Sequence, residues 1–187
     1  MTNTKKSELI ARIEAEIKGN FSPADSQGPI KLTNQYFEDL LLEDMEQDSI
    51  DNLYGTIICL WDFVQQRSPK TPKVRVYNPN YEEHSWQSTH TVIEILTDDM
   101  PFLVSSFNMA LVRLGHTIHF TAHPIVNVER SAKGELKAIG TQSAKSNTEA
   151  LIRFEIDRIS DLSKMDAIKD ALIDTMGDVK HCVEDWP

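Results

Sequence analysis

Apolar residues at 102, 103, 107, 110, 111 and 114 recur at steps of three and four, so the spacing predicts a helix over Pro101–Leu114. Pro101 suits its first turn, where no N–H is needed, and Gly115 closes it in the left-handed conformation glycine tolerates. Asp98 and Asp99 stand where negative charge meets the positive end of the helix dipole. Thr91–Thr97, rich in Val and Ile, reads as a strand. After the helix, Ile118, Phe120, Ala122, Pro124, Val126 and Val128 alternate with polar residues, the period of one long half-buried strand. Leu151–Asp157 alternates in the same way, with Arg153, Glu155 and Asp157 on its polar side. Leu162, Met165, Ile168, Leu172, Met176, Val179, Val183 and Trp186 then keep helical spacing.

The earlier part of the chain reads as helical. Residues 1–18 carry Leu9, Ile10, Ile13 and Ile17 among alternating charges, the pattern of a surface helix, and Asn20–Pro29 has the composition of a linker. A helix is expected around Asn34–Leu42, with Tyr36, Phe37, Leu40 and Leu41 on its apolar side. Another is expected from Ile50 to about Gln66, capped by Asp48 or Ser49 and burying Ile50, Leu53, Ile57, Trp61 and Val64. Ser68–Pro72 turns the chain into a short strand at Val74–Tyr77. Arg130–Glu149 reads as a partly mobile hairpin connection, with Leu136–Ile139 extending a strand.

Together these elements make an α+β chain of order βαββα, the sheet-and-helix sandwich of a ferredoxin-like or ACT-like unit, with an N-terminal helical extension. The expected division is a helical extension over 1–70 and the sheet-bearing unit over 71–187. Such a unit needs one more strand, either Val74–Tyr77 or residues beyond Pro187. The second is the favoured expectation, with the chain cut from a longer one.

Composition narrows the function. A net charge of −10 argues against tracking a phosphate backbone. No apolar run approaches the length that spans a membrane, and a cytoplasmic protein with buried free thiols at Cys59 and Cys182 is expected. Seven acidic residues and no basic one lie between Glu38 and Asp51, read as a solvated face. His119 and His123 sit roughly 13 Å apart along one strand, too far to share a metal. No glycine-rich phosphate loop, nucleophile elbow or metal motif is present, so no catalytic residue, cofactor site or metal site is assigned. The turn Asp98, Asp99, Met100, Pro101 and Phe102 remains, since a helix start offers N–H groups to an anion such as an amino-acid carboxylate.

A specific resemblance rests on an ordered set of residues. It comprises Leu53-Tyr54-Gly55 with Trp61, Phe63 and Arg67; VRVYNP at 74–79; Trp86, Ser88 and HTVIEI at 90–95; and DDMPFLV at 98–104. Ile118-His119, His123-Pro124, EIDR at 155–158, and Asp178-Val179 through Asp185-Trp186 complete it. From about 53 to 186 the chain resembles the N-terminal ACT-like region of the large bacterial NAD-specific glutamate dehydrogenases. That resemblance implies a regulatory or assembly segment of an oligomeric enzyme interconverting L-glutamate with 2-oxoglutarate and ammonium. NAD would bind the parent enzyme and not this chain, whose partners would be other domains and subunits and an amino-acid effector at Asp98–Phe102. A structural oligomerisation module and a free-standing amino-acid sensor are the alternatives. Two departures from the family pattern are Ser105, in place of aspartate, and Phe102, in place of the glycine of an effector-binding turn. The purified chain, given glutamate and NAD, is expected to form no NADH in an absorbance assay; turnover would overturn the reading as a non-catalytic segment.

Overall fold

A computed structural model describes residues 2–140, 143 and 146–184. Four helices come first: α1 (Thr2–Asn20), α2 (Gln27–Glu38), α3 (Leu42–Met45) and α4 (Ile50–Val64). Strand β1 (Lys73–Tyr77), the short α5 (Tyr81–His84), β2 (Thr91–Asp98) and α6 (Leu103–Arg113) follow. The chain continues through β3 (Ile118–Ala122), β4 (Ile125–Arg130), β5 (Leu136–Ile139), β6 (Asn147–Ile156) and α7 (Leu162–Glu184). The strands form one antiparallel sheet in the order β1-β2-β6-β4-β5, with β3 also paired to β6. The edge beside β2 is held by β1, the less favoured of the two expectations for that position.

Both faces of the sheet are covered. On one, Leu103, Phe107 and Leu111 of α6 and Ile168, Leu172 and Met176 of α7 pack against Ile93, Ile95, Ile152 and Phe154. On the other, Ile13 and Ile17 of α1, Leu32 and Phe37 of α2, and Ile57, Leu60 and Val64 of α4 share a core with Leu96, Val126, Val128 and Leu151. The second layer overturns two expectations. Helix α1 is not a surface helix, because Ile13 and Ile17, one turn apart, are fully buried. Strand β6 is not half-buried, because Arg153 on its polar side is buried as well as Phe154. Alternation records chemistry on the two faces of a strand, not which of them meets water.

Several boundaries also differ. The expected linker ends inside α2, which begins at Gln27 and takes Pro29 into its first turn, where the absent N–H has no partner to lose. A Cβ on Gly28 would lie 2.2 Å from the Trp61 ring, so glycine here lets α2 seat against α4. Helix α2 stops at Glu38, leaving Leu41 largely exposed. Ser49 caps α4, its hydroxyl accepting from the Asn52 N–H at 3.2 Å. The long strand expected over 118–128 is broken at His123–Pro124, since proline has no ladder N–H; the Pro124 carbonyl still accepts from Leu151 at 3.0 Å. Helix α6 begins at Leu103 rather than Pro101, with Phe102 at φ 70° before it and no side-chain cap. The two aspartates therefore do not cap it: Asp98 ends β2 and its carboxylate pairs with Arg67. Gly115 has the expected positive φ, 84°.

On α7, Leu162 is exposed and Met165, Ile168, Leu172, Met176 and Val179 are buried, while Trp186 lies outside the described residues. Strand β5 extends the sheet beside β4; part of the expected mobile connection, residues 141, 142, 144 and 145, lies outside them as well. Both cysteines are free, but Cys59 is only half-buried and Cys182 is exposed. No helix among the described residues is long and apolar enough to cross a membrane.

Gly55 gives this packing a test. Alanine in a helix interior ordinarily stabilises by about 1 kcal/mol relative to glycine. Here a Cβ would lie 2.3 Å from the Ser85 carbonyl oxygen and 2.8 Å from the Trp86 side chain. Gly55→Ala is expected to reverse the usual sign and lower the urea midpoint, a loss of about 1–3 kcal/mol.

Candidate functional site

The sheet face under α2 and α4 carries a row of buried charge. Register sets Arg75 of β1 opposite Glu94 of β2, and Glu94 opposite Arg153 of β6. Glu94 is fully buried and accepts from Arg75 Nε at 2.8 Å and Tyr77 Oη at 2.9 Å. Burial raises the Tyr77 hydroxyl's pKa, and the Glu94 carboxylate adds to that rise. Burial disfavours the Arg153 charge, but Tyr36, Glu155 and Glu94 outweigh it and hold its pKa above the ordinary value. The Arg153 guanidinium lies 4.5 Å from the Trp86 ring centroid, donates to Tyr36 Oη at 3.3 Å, and pairs with Glu155 Oε1.

From Glu155 the network runs to the surface. Its second oxygen accepts from Ser88 Oγ at 2.8 Å and stands 3.3 Å from His90 Nδ1. The His90 ring stacks on His119 with centroids 4.4 Å apart. His119 Nε2 meets Asp157 Oδ1 at 2.7 Å, and Thr117 N–H donates to the other Asp157 oxygen at 2.9 Å. The His119 hydrogen bond, followed by that of Thr117, holds the Asp157 carboxyl down to about 2.

Above this row the helical layer parts from the sheet. A cavity of about 810 Å³ opens between α2, α3 and α4 on one side and Trp86–His90, β3 and β6 on the other. Tyr36, Trp86 and Arg153 line it together with His90, Arg158 and Asp48. Two buried donors, Trp86 Nε1 and Arg153 Nε, have no hydrogen-bond partner among the described residues.

The turn singled out from sequence lies elsewhere. Asp98 is held by Arg67, whose Nη1 is also 3.3 Å from Glu149, and Arg130 grips Glu149 through Nε at 2.7 Å and Nη2 at 2.8 Å. The Asp99 N–H donates to the Thr148 carbonyl at 3.2 Å, and Met100 packs on the α6–α7 core. Pro101 and Phe102 are exposed, and none of the five residues lines the cavity. What sequence reasoning missed is the set Trp86, Arg153 and Glu155. The available signal was a charged residue inside a short apolar run of each of two strands, Glu94 within Val92–Leu96 and Arg153 within Ala150–Phe154.

The family model for the glutamate dehydrogenase ACT1 domain matches residues 32–172. This chain belongs to that family. The ACT1 chain is 39% identical over 155 residues to the NAD-specific glutamate dehydrogenase of Pseudomonas aeruginosa, covering 81% of this chain and 10% of that protein. It is 38% identical over 182 residues to the NAD-specific glutamate dehydrogenase of Halomonas elongata, covering 96% of this chain and 11% of the other. The ACT1 chain thus spans about a tenth of the length of the curated relatives it matches. No solved structure matches it.

Removing Glu94 would leave Arg75 and Arg153 facing each other in a buried layer. Glu94→Ala is expected to destabilise the ACT1 chain by about 3–5 kcal/mol in urea denaturation, as for a broken buried pair. A change within about 0.5 kcal/mol, the usual size of a surface effect, would show that the row contributes nothing.

Proposed function

We propose that this ACT1 chain is a regulatory and assembly domain of a cytoplasmic, oligomeric NAD-specific glutamate dehydrogenase, docking through α6 onto other parts of that enzyme. The parent would convert L-glutamate, NAD and water to 2-oxoglutarate, ammonium and NADH in a catalytic domain elsewhere in the polypeptide. The observation that carries the docking is a set of exposed large apolar residues on and beside α6. Met109 is 54% exposed, Val112 62% and Leu114 45%, with Phe102 at 57% just ahead of the helix. Exposed large apolar side chains gathered on and beside one short helix favour a contact with another protein surface. Relatives about ten times longer offer the partner within the same polypeptide or its symmetry mates.

In this reading residues 71–187 form the ACT-like unit and residues 1–70 a helical extension packed on its sheet. The unit is of the ferredoxin-like type, with β1 supplying the strand beside β2; the succession β2-α6-β3/β4-β6-α7 supports it. The turn Asp98, Asp99, Met100, Pro101 and Phe102 stands at the rim of the docking surface. An effector carboxylate at that turn would meet the first N–H groups of α6. The exposed Phe102 ring and the Arg67-bound Asp98 favour a protein contact there instead. Regulation follows if the docked and undocked arrangements differ in activity and a ligand binds one of them better.

The test is Met109→Asp with Val112→Asp, made both in this chain and in the long dehydrogenase. The isolated chain's stability should change by less than about 0.5 kcal/mol per site, as at exposed positions. The long enzyme should lose activity or change its oligomeric state on size exclusion with light scattering. Unchanged activity and assembly would rule the docking face out.

A further inference from the structure

The cavity over the charged row lies on the sheet face opposite α6 and α7, so the docking reading leaves it unused. Its volume, about 810 Å³, is within the range of small-molecule sites. Three features indicate what it would take. Trp86 and Arg153, each more than nine-tenths buried, are among its lining residues, and each carries a buried donor nitrogen with no partner among the described residues. Buried donors left unpaired are unfavourable, so an acceptor nearby is favoured. Arg158 stands at the rim, donating one N–H to the Ser88 carbonyl at 3.0 Å, and among the described residues no carboxylate lies within ion-pairing distance of it. The neighbouring carboxylates cannot serve it: Glu155 is committed to Arg153, Ser88 and His90, and Asp157 to His119 and Thr117.

We propose that this cavity binds a small organic carboxylate, with Arg158 as its principal cation and the stacked His90–His119 pair beside it. Tyr36, Trp86 and Phe120 supply the apolar walls for the carbon skeleton. Asp44 and Asp48 face the same space from the helical layer, with no cation at ion-pairing distance among the described residues. They would attract an ammonium group, so the site has polarity to separate a plain carboxylate from one that also carries an amine. The ligand's role as an effector rests on the regulatory reading above; its binding does not.

Calorimetric titration of the 187-residue chain with three five-carbon probes tests this: glutarate, L-norvaline and the uncharged glutaramide. Saturable binding of glutarate, L-norvaline or both is expected, with none for glutaramide. Tighter binding of L-norvaline would assign Asp44 and Asp48 to an ammonium; tighter binding of glutarate would assign the ligand to the plain carboxylates. Arg158→Ala, at an exposed position, should weaken binding about tenfold or more, the usual worth of a charge-assisted hydrogen bond. Asp99→Ala, at the α6 turn, should leave it unchanged. The proposal is overturned by no saturable binding, by binding indifferent to Arg158→Ala, or by binding lost with Asp99→Ala. Binding that obeys the pattern yet leaves the long enzyme's activity unaltered would keep the site and remove its regulatory role. Absence of binding would remove the site and leave the α6 docking face untouched.

Discussion

A carboxylate with no exposed surface needs its counter-charges built into the fold, and Glu94 has that requirement met from the strands on both sides. Arg75 and Tyr77 come from the edge strand β1, and Arg153 stands across from it on β6. Arg153 in turn reaches Tyr36 of α2 and lies over Trp86 from the segment before β2. One buried charge thus ties together the helical layer, the edge strand and the centre of the sheet. A buried pair of this kind adds little net stability over well-packed apolar residues. Its effect is to favour one register, because a slip of β1 by one residue would turn Arg75 to the other face and leave Glu94 without it.

How much of this was legible depends on whether the cause was local. The apolar steps in α4, α6 and α7, the Ser49 cap and the glycine after α6 follow from neighbours within a few residues, and they appear in the structure except at the helix ends, where Phe102, Leu114 and Leu162 are exposed. The polar side of β6 was misread because its cover comes from far away: Arg153 meets Tyr36 across 117 positions of sequence. Asp98 was misread for the same reason. A carboxylate before a helix suits the dipole, yet Arg67, 31 positions earlier, claims it. The break at Pro124 was visible in the residue itself, but the alternation around it was strong enough to mask the missing donor. The mixed architecture of helices on an antiparallel sheet was legible in outline. The cavity was not, since no single element shows where two layers separate.

The two faces of the sheet are served by the same strands. Along β6, Arg153 and Glu155 face the cavity while Ile152, Phe154 and Ile156 belong to the core beneath α6 and α7. At the other end, Glu149 and Asp98 hold Arg67 at the close of the helical layer, one residue before the turn that leads into α6. A displacement of β6 or β2 therefore cannot be confined to one layer. This is the physical means by which ligand binding on one face could alter contacts made on the other, and interiors packed at this density transmit such shifts.

The position of β6 also has a consequence for how the chain assembles. Although last of the six strands to be synthesised, β6 lies at the middle of the sheet, pairing with β2 on one side and with β3 and β4 on the other. Until residue 156 is available, β2 has only the edge strand β1 beside it, and β3 and β4 have no central partner. Loop closure over dozens of residues must precede the rewarding contacts, a topology that slows folding. During that interval the unpaired backbone edges of β2 and β4 are open templates for strand pairing with other chains. Nascent chains stalled before β6 are accordingly the species most open to such pairing.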